Sequence, residues 1–137
     1  MVGLRKPHRP FCAPKKYWDL YDREKVPLSP APVFGRGIPH RDRQGGAHGE
    51  MRQYRNQREE LARMAVAGQD QYSEVLVREL RHGYLACTSY VDSNVGNMLD
   101  ALEANGLTGS TVVVICGDHG WNPSDLGIWG KHNTFEF

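Results

Sequence analysis

Leu76, Leu80, Tyr84, Cys87, Val91, Val95, Met98 and Leu102 recur at steps of four, four, three, four, four, three and four. That spacing puts all eight on one side of a 3.6-residue helix, so the stretch from about 73 to 105 reads as one long helix with a continuous apolar face. Ser73 stands where an N-cap belongs, and Asn105-Gly106 ends the pattern with two residues that tolerate the left-handed backbone of a helix C-terminus. After the turn Leu107-Thr108-Gly109-Ser110 comes Thr111-Val112-Val113-Val114-Ile115-Cys116, a β-branched run apolar on both faces. Such a run reads as a buried strand, and a helix feeding a buried strand is the crossover of a parallel or mixed α/β sheet. A face this long needs covering, and one helix and one strand do not enclose a core by themselves.

Gly117-Asp118-His119-Gly120-Trp121 follows the apolar run with no spacer. In open α/β sheets ligands occupy the crevice beyond the carboxyl ends of the strands, so a carboxylate and an imidazole are delivered together where a site is expected. After a nine-residue spacer, Lys131 can bring an ammonium back to the same place. Acid, imidazole and ammonium together suit a bound anion or a metal. Each has an ordinary alternative: Asp118 as a turn former or cap, His119 as an exposed loop histidine, Lys131 as a surface lysine.

The rest of the chain divides unevenly. Seven of the eight prolines precede residue 40, and residues 1–34 read as an extended segment interrupted by a short helix after Pro14, over Lys15 to Tyr21. Pro27, Pro30 and Pro32 hold the backbone extended. Residues 35–50 are glycine-rich and read as loop; a helix is expected from about Glu50 to Ala67, so that 35–72 forms a loop-rich insertion before the 73–137 helix, strand and site loop. The arginines between Arg36 and Arg63 are interspersed with Glu50, Glu59 and Glu60, which favours a solvated face over a nucleic-acid patch, and a formal charge of +1 speaks against a general polyanion binder. No run is long enough to cross a bilayer, and three cysteines without close pairing give neither a zinc signature nor a disulfide framework. Met1 opens a basic, proline-containing stretch without the apolar core of a signal peptide.

Three segments, in order, resemble the sulfatases of the alkaline phosphatase superfamily, in particular the iduronate sulfatase branch and its bacterial relatives. They are Val2-Gly3-Leu4-Arg5-Lys6-Pro7-His8-Arg9-Pro10-Phe11, the helical Tyr84-Leu85-Ala86-Cys87-Thr88-Ser89-Tyr90-Val91-Asp92, and Gly117-Asp118-His119-Gly120-Trp121 with Lys131 and Asn133-Thr134-Phe135-Glu136 behind it. The resemblance implies residues 1–137 as part of an alkaline-phosphatase-like sulfatase domain, with a mixed, mostly parallel sheet flanked by helices. It implies that Asp118 and His119 bind a divalent metal, usually Ca2+ in the family, and that His8 and Lys131 are catalytic, substrate-binding residues facing the sulfate. The implied partner is a sulfated small molecule or glycan. Neither nucleic acid nor membrane is implied, and family members are usually exported or lysosomal.

The resemblance also shows what this stretch lacks. The family's nucleophile is a formylglycine made from cysteine in Cys-x-Pro-x-Arg, and an early aspartate pair adds metal ligands; both are expected upstream of this segment, which alone is expected to be inactive. Cys12-Ala13-Pro14-Lys15-Lys16 comes nearest but has Lys in place of Arg and lies directly after Lys-Pro-His. After the tryptophan, where close relatives tend to carry Leu-Gly-Glu-His, this chain has Pro123-Ser124-Asp125-Leu126. Two other functions remain open: a phosphoesterase of the same superfamily, which would use threonine or serine as nucleophile, and a non-catalytic binding or interaction module.

Overall fold

Helix α1, Lys15–Trp18, starts where Pro14 holds an extended backbone (φ −55°, ψ 142°) and ends with the Asp19 N–H donating to the Lys15 carbonyl. A computed structural model describes residues 1–31, 72–125 and 129–131. The expected glycine-rich loop of 35–50, the helix of 50–67, Pro32 and the residues from 132 onward lie outside the described residues. A 3-10 turn at Arg23–Lys25 follows α1; then come helix α2, Glu74–Ala104, a second 3-10 turn at Thr108–Ser110, and strands β1, Asn122–Pro123, and β2, Trp129–Gly130.

The sequence places the ends of α2 correctly, and the caps explain why. The Ser73 hydroxyl accepts the Leu76 N–H at 3.3 Å while its carbonyl takes the Val77 N–H at 2.9 Å, which satisfies donors that the first turn leaves open. At the other end Gly106 adopts φ +66°. Its N–H reaches the Glu103 carbonyl and the Leu107 N–H the Leu102 carbonyl, both at 2.9 Å. This is the paired closure of a helix that a left-handed glycine permits.

The chain falls into two units. One comprises Met1–Lys25 with His82–Asp118, the other Val26–Arg81 with His119–Phe137, so α2 contributes its first two turns to the second unit and the remainder to the first.

In the first unit the proline-rich N-terminal segment packs on α2 through aromatic rings. Phe11 meets Tyr84 edge-on at 6.0 Å and Tyr17 lies 5.3 Å from Tyr90, while the Tyr21 hydroxyl bonds to Ser89 Oγ at 2.6 Å. His82 is buried among them: its Nε2–H donates to the Trp18 carbonyl at 2.8 Å, which leaves Nδ1 to accept from Arg23 Nε at 3.4 Å. The covered part of the helix in this unit is therefore His82, Gly83, Ala86 and Cys87, of which Cys87 alone lies on the apolar stripe of the sequence; Val91, Val95, Met98 and Leu102 are only half-buried. Burial raises the pKa of the Cys87 thiol, which keeps it protonated and inert.

Gly83 is what lets the two layers meet. A Cβ there would lie 2.8 Å from Trp18 Cη2 and 2.9 Å from Phe11 Cβ, whereas one at Gly96 would meet nothing within 4 Å. Replacing glycine by alanine in a helix gains about 1 kcal/mol of propensity, and forcing a methyl into a packed contact costs about 1–3 kcal/mol. Gly83→Ala is thus expected to destabilise and Gly96→Ala to stabilise; urea unfolding of the two variants checks the opposite signs, and equal shifts would mean that the Phe11–Trp18 layer does not press on the helix.

The second unit has a small core of Tyr72, Leu76 and Trp129, with Val77, Leu80 and Trp121 packed against it. Trp129 touches Tyr72 and Trp121 with ring centroids 5.6 and 5.9 Å away. β1 and β2 pair antiparallel, Asn122 opposite Gly130 and Pro123 opposite Trp129.

The apolar run of 111–116 differs from expectation. Thr111 is extended, at φ −120° and ψ 126°. Yet residues 111–116 form no strand ladder among the described residues, and Val112 to Ile115 are between 50 and 89% exposed. The physical reason is that a strand is made by its neighbours: its N–H and C=O groups and both apolar faces need partners, and the two-stranded β1–β2 ladder supplies none.

Candidate active site

His119 and Lys131 are brought together within the second unit. Lys131 directly follows β2, so the ladder that sets Trp129 against Pro123 also sets where the lysine leaves the strand. Its Nζ lies 3.0 Å from His119 Nε2, and His119 Nδ1 lies 2.9 Å from the Gly120 carbonyl. A carbonyl only accepts, so Nδ1 carries the proton; Nε2 then presents its lone pair to the ammonium, which donates. The ring is thereby a holder for Lys131, and His119 itself is exposed. The contact brings the Lys131 ammonium to His119.

Asp118 and His8 belong to the first unit. Asp118 is exposed at a bend after the apolar run. His8 is half-buried in a tight turn: its N–H donates to the Arg5 carbonyl at 3.1 Å and its Nδ1–H to the Arg9 carbonyl at 2.7 Å. That leaves Nε2 as the nitrogen available to a ligand. Lys6 curls over the same turn, with Nζ donating to the His8 and Pro10 carbonyls, a structural duty for its ammonium. Cys12 is exposed just beyond the turn.

Among the described residues no group of three or more His, Cys, Asp and Glu side chains is arranged to hold a metal ion. Calcium takes six to eight oxygen ligands. The Asp118 carboxylate is a donor of the kind that ion takes, and one carboxylate does not make a shell. His119 fits less readily, because imidazole nitrogen is a softer donor and its one lone pair faces Lys131.

Sequence reasoning missed one residue that shapes the loop. Arg81, near the end of the first two turns of α2, donates from Nη1 to the Pro123 carbonyl at 2.9 Å and to Ser124 Oγ at 3.0 Å. Nothing local marks it: it lies between Leu80 and His82, and its partners are more than forty residues away. The Asn122 side chain, accepting the Asp125 N–H at 2.9 Å, braces the same turn from within.

The family model for Sulfatase matches residues 1–135. The human iduronate 2-sulfatase is 34% identical over 138 residues, covering 98% of this chain and 24% of that protein. The choline-sulfatase of Rhizobium meliloti is 31% identical over 137 residues, covering 98% of this chain and 23% of that protein. The multifunctional alkaline phosphatase superfamily protein PehA of Trinickia caryophylli is 25% identical over 132 residues, covering 95% of this chain and 24% of that protein. The chain thus spans about a quarter of the length of the curated relatives it matches. Matched along nearly all of its residues by the family model, with an Asp-His loop and a lysine held against it, the chain belongs to the sulfatase family.

Proposed function

We propose that this segment supplies part of the active site of a sulfuric ester hydrolase acting on sulfate esters, most naturally of sulfated carbohydrates. The reading is carried by one observation, the 3.0 Å contact that ties the Lys131 ammonium to His119, the residue that follows Asp118 in the sequence. A sulfate monoester is an anion whose leaving alcohol gathers charge as the sulfur–oxygen bond breaks. A preorganised ammonium at that point stabilises the transition state more than the ground state. Lys131 is assigned to the sulfate on this ground.

Asp118 and His119 would hold a divalent cation, calcium by family analogy, which when bound neutralises the sulfate oxygens. Asp118 provides charge and a hard oxygen. A singly protonated imidazole has one lone pair, so His119 either accepts from Lys131 or ligates the cation, but not both at once. His8 offers Nε2 from the turn of residues 5–10 and donates to a sulfate oxygen only when doubly protonated, because its Nδ1 proton is committed to the Arg9 carbonyl. The nucleophile, a formylglycine, comes in this reading from outside the segment. The exposed 111–116 run becomes a strand of a mixed, mostly parallel sheet when the rest of such a domain covers it.

The test is to co-express the chain with the upstream part of a related sulfatase bearing the formylglycine site, and to assay an aryl sulfate beside the matching aryl phosphate. Preferential sulfate turnover is expected. Preference for phosphate would move the assignment to a phosphoesterase, and no turnover by a correctly assembled complex would favour the non-catalytic module. Turnover by the chain alone, lost on Cys12→Ser, would overturn the placement of the nucleophile.

A further inference from the structure

The arginine that grips the site loop is part of neither the sulfate contacts nor the metal ligands, yet all of its contacts in the loop lie between His119 and Lys131. Arg81 is 18% exposed; besides the Pro123 carbonyl and Ser124 Oγ it has Asp125 Oδ1 at 3.8 Å. Ser124 is buried at φ +97°, a conformation that a residue with a side chain keeps only where its surroundings over-determine it. One guanidinium nitrogen, Nη1, meets the Pro123 carbonyl and Ser124 Oγ with its N–H groups and has the Asp125 carboxylate just beyond them, which supplies that determination; a lysine's compact ammonium on a flexible stem is not held in that place by the rest of a planar group. Pro123 is itself the β1 residue paired with Trp129 of β2, and β2 delivers Lys131. A rigid helix is therefore coupled to the ammonium through one loop and one ladder.

We infer that Arg81 is a positioning residue: by clamping Pro123, Ser124 and Asp125 it fixes the β1–β2 ladder and so holds the Lys131 ammonium on His119, where it meets the sulfate. The second half of this statement rests on the function proposed above. The clamp itself does not.

The test reads the contact directly in the 15N-labelled full chain. Long-range proton–nitrogen spectra report whether His119 Nε2 accepts from Lys131, with Lys131→Met marking the shift of a lost donor. Arg81→Ala is expected to move the His119 signals toward the Lys131→Met position while circular dichroism keeps the helical content, and Arg81→Lys to recover them only in part. His119 signals unchanged in Arg81→Ala would overturn the inference, because an arginine serving only as a surface ion pair would leave them in place. If Arg81→Ala does not fold, Arg81→Gln, which keeps a polar side chain but loses the charge and the reach of Nη1, takes its place with the same two outcomes. A parallel titration with inorganic sulfate separates the two claims: sulfate should shift the Lys131 side chain in the parent chain and act more weakly in Arg81→Ala. A clamp-dependent His119 signal with no sulfate response at Lys131 would confirm the clamp and remove the functional reading.

Discussion

Lys131→Ala is expected to lower kcat by roughly thirtyfold to a thousandfold in an active enzyme containing this segment, about 2–4 kcal/mol of barrier, comparable to the loss of one preorganised donor to developing charge. Lys131 leaves β2 directly and its ammonium is already directed by His119 at 3.0 Å, so little ordering remains to be done when the substrate arrives. A contact that strengthens as the leaving oxygen gains charge should appear mainly in kcat, with a smaller change in KM; equal losses in both would indicate simple anion binding. Metal content should stay at the parent level, since an ammonium ligates nothing. Full activity in Lys131→Ala, measured by steady-state kinetics, would remove it from the site.

How much of this could be read from the sequence depends on how local the cause is. The span of α2 was legible because its causes are neighbours in the chain: Ser73 against Leu76 at one end, Gly106 and Leu107 against Glu103 and Leu102 at the other. Its covered face was only half legible. Leu76 and Cys87 on the stripe are buried, but so are His82 and Gly83, which no hydrophobic pattern selects; they are inside because Phe11 and Trp18, some seventy residues earlier, come to rest on them. The 111–116 run shows the opposite case, a β-forming composition without the partners that turn composition into a strand. For the site, the motif and its spacing pointed to a lysine near His119, and the 3.0 Å contact is between those two residues. The tautomer of His119 and the Arg81 clamp were not, since both depend on which carbonyls lie in reach after folding.

Asp118→Ala should fail differently, by losing the metal. Removing an anionic oxygen ligand takes away both charge and a coordination position, and affinity for calcium is set by ligand charge count. Loss of a mere hydrogen-bond partner of a metal ligand costs roughly 10–100-fold in affinity, so a direct ligand should cost at least that. Activity at limiting calcium should therefore collapse, and excess calcium should restore part of it by mass action. His119→Ala then separates the two duties of the imidazole. If it ligates the cation, metal content falls as in Asp118→Ala; if it serves only to hold Lys131, metal stays and the kinetic defect follows that of Lys131→Ala. Metal analysis on all three variants beside calcium-dependent kinetics decides between these. Full metal content in Asp118→Ala would show that the carboxylate at the end of the 111–116 run ligates no cation, and the assignment of this loop as the metal site would fall with it.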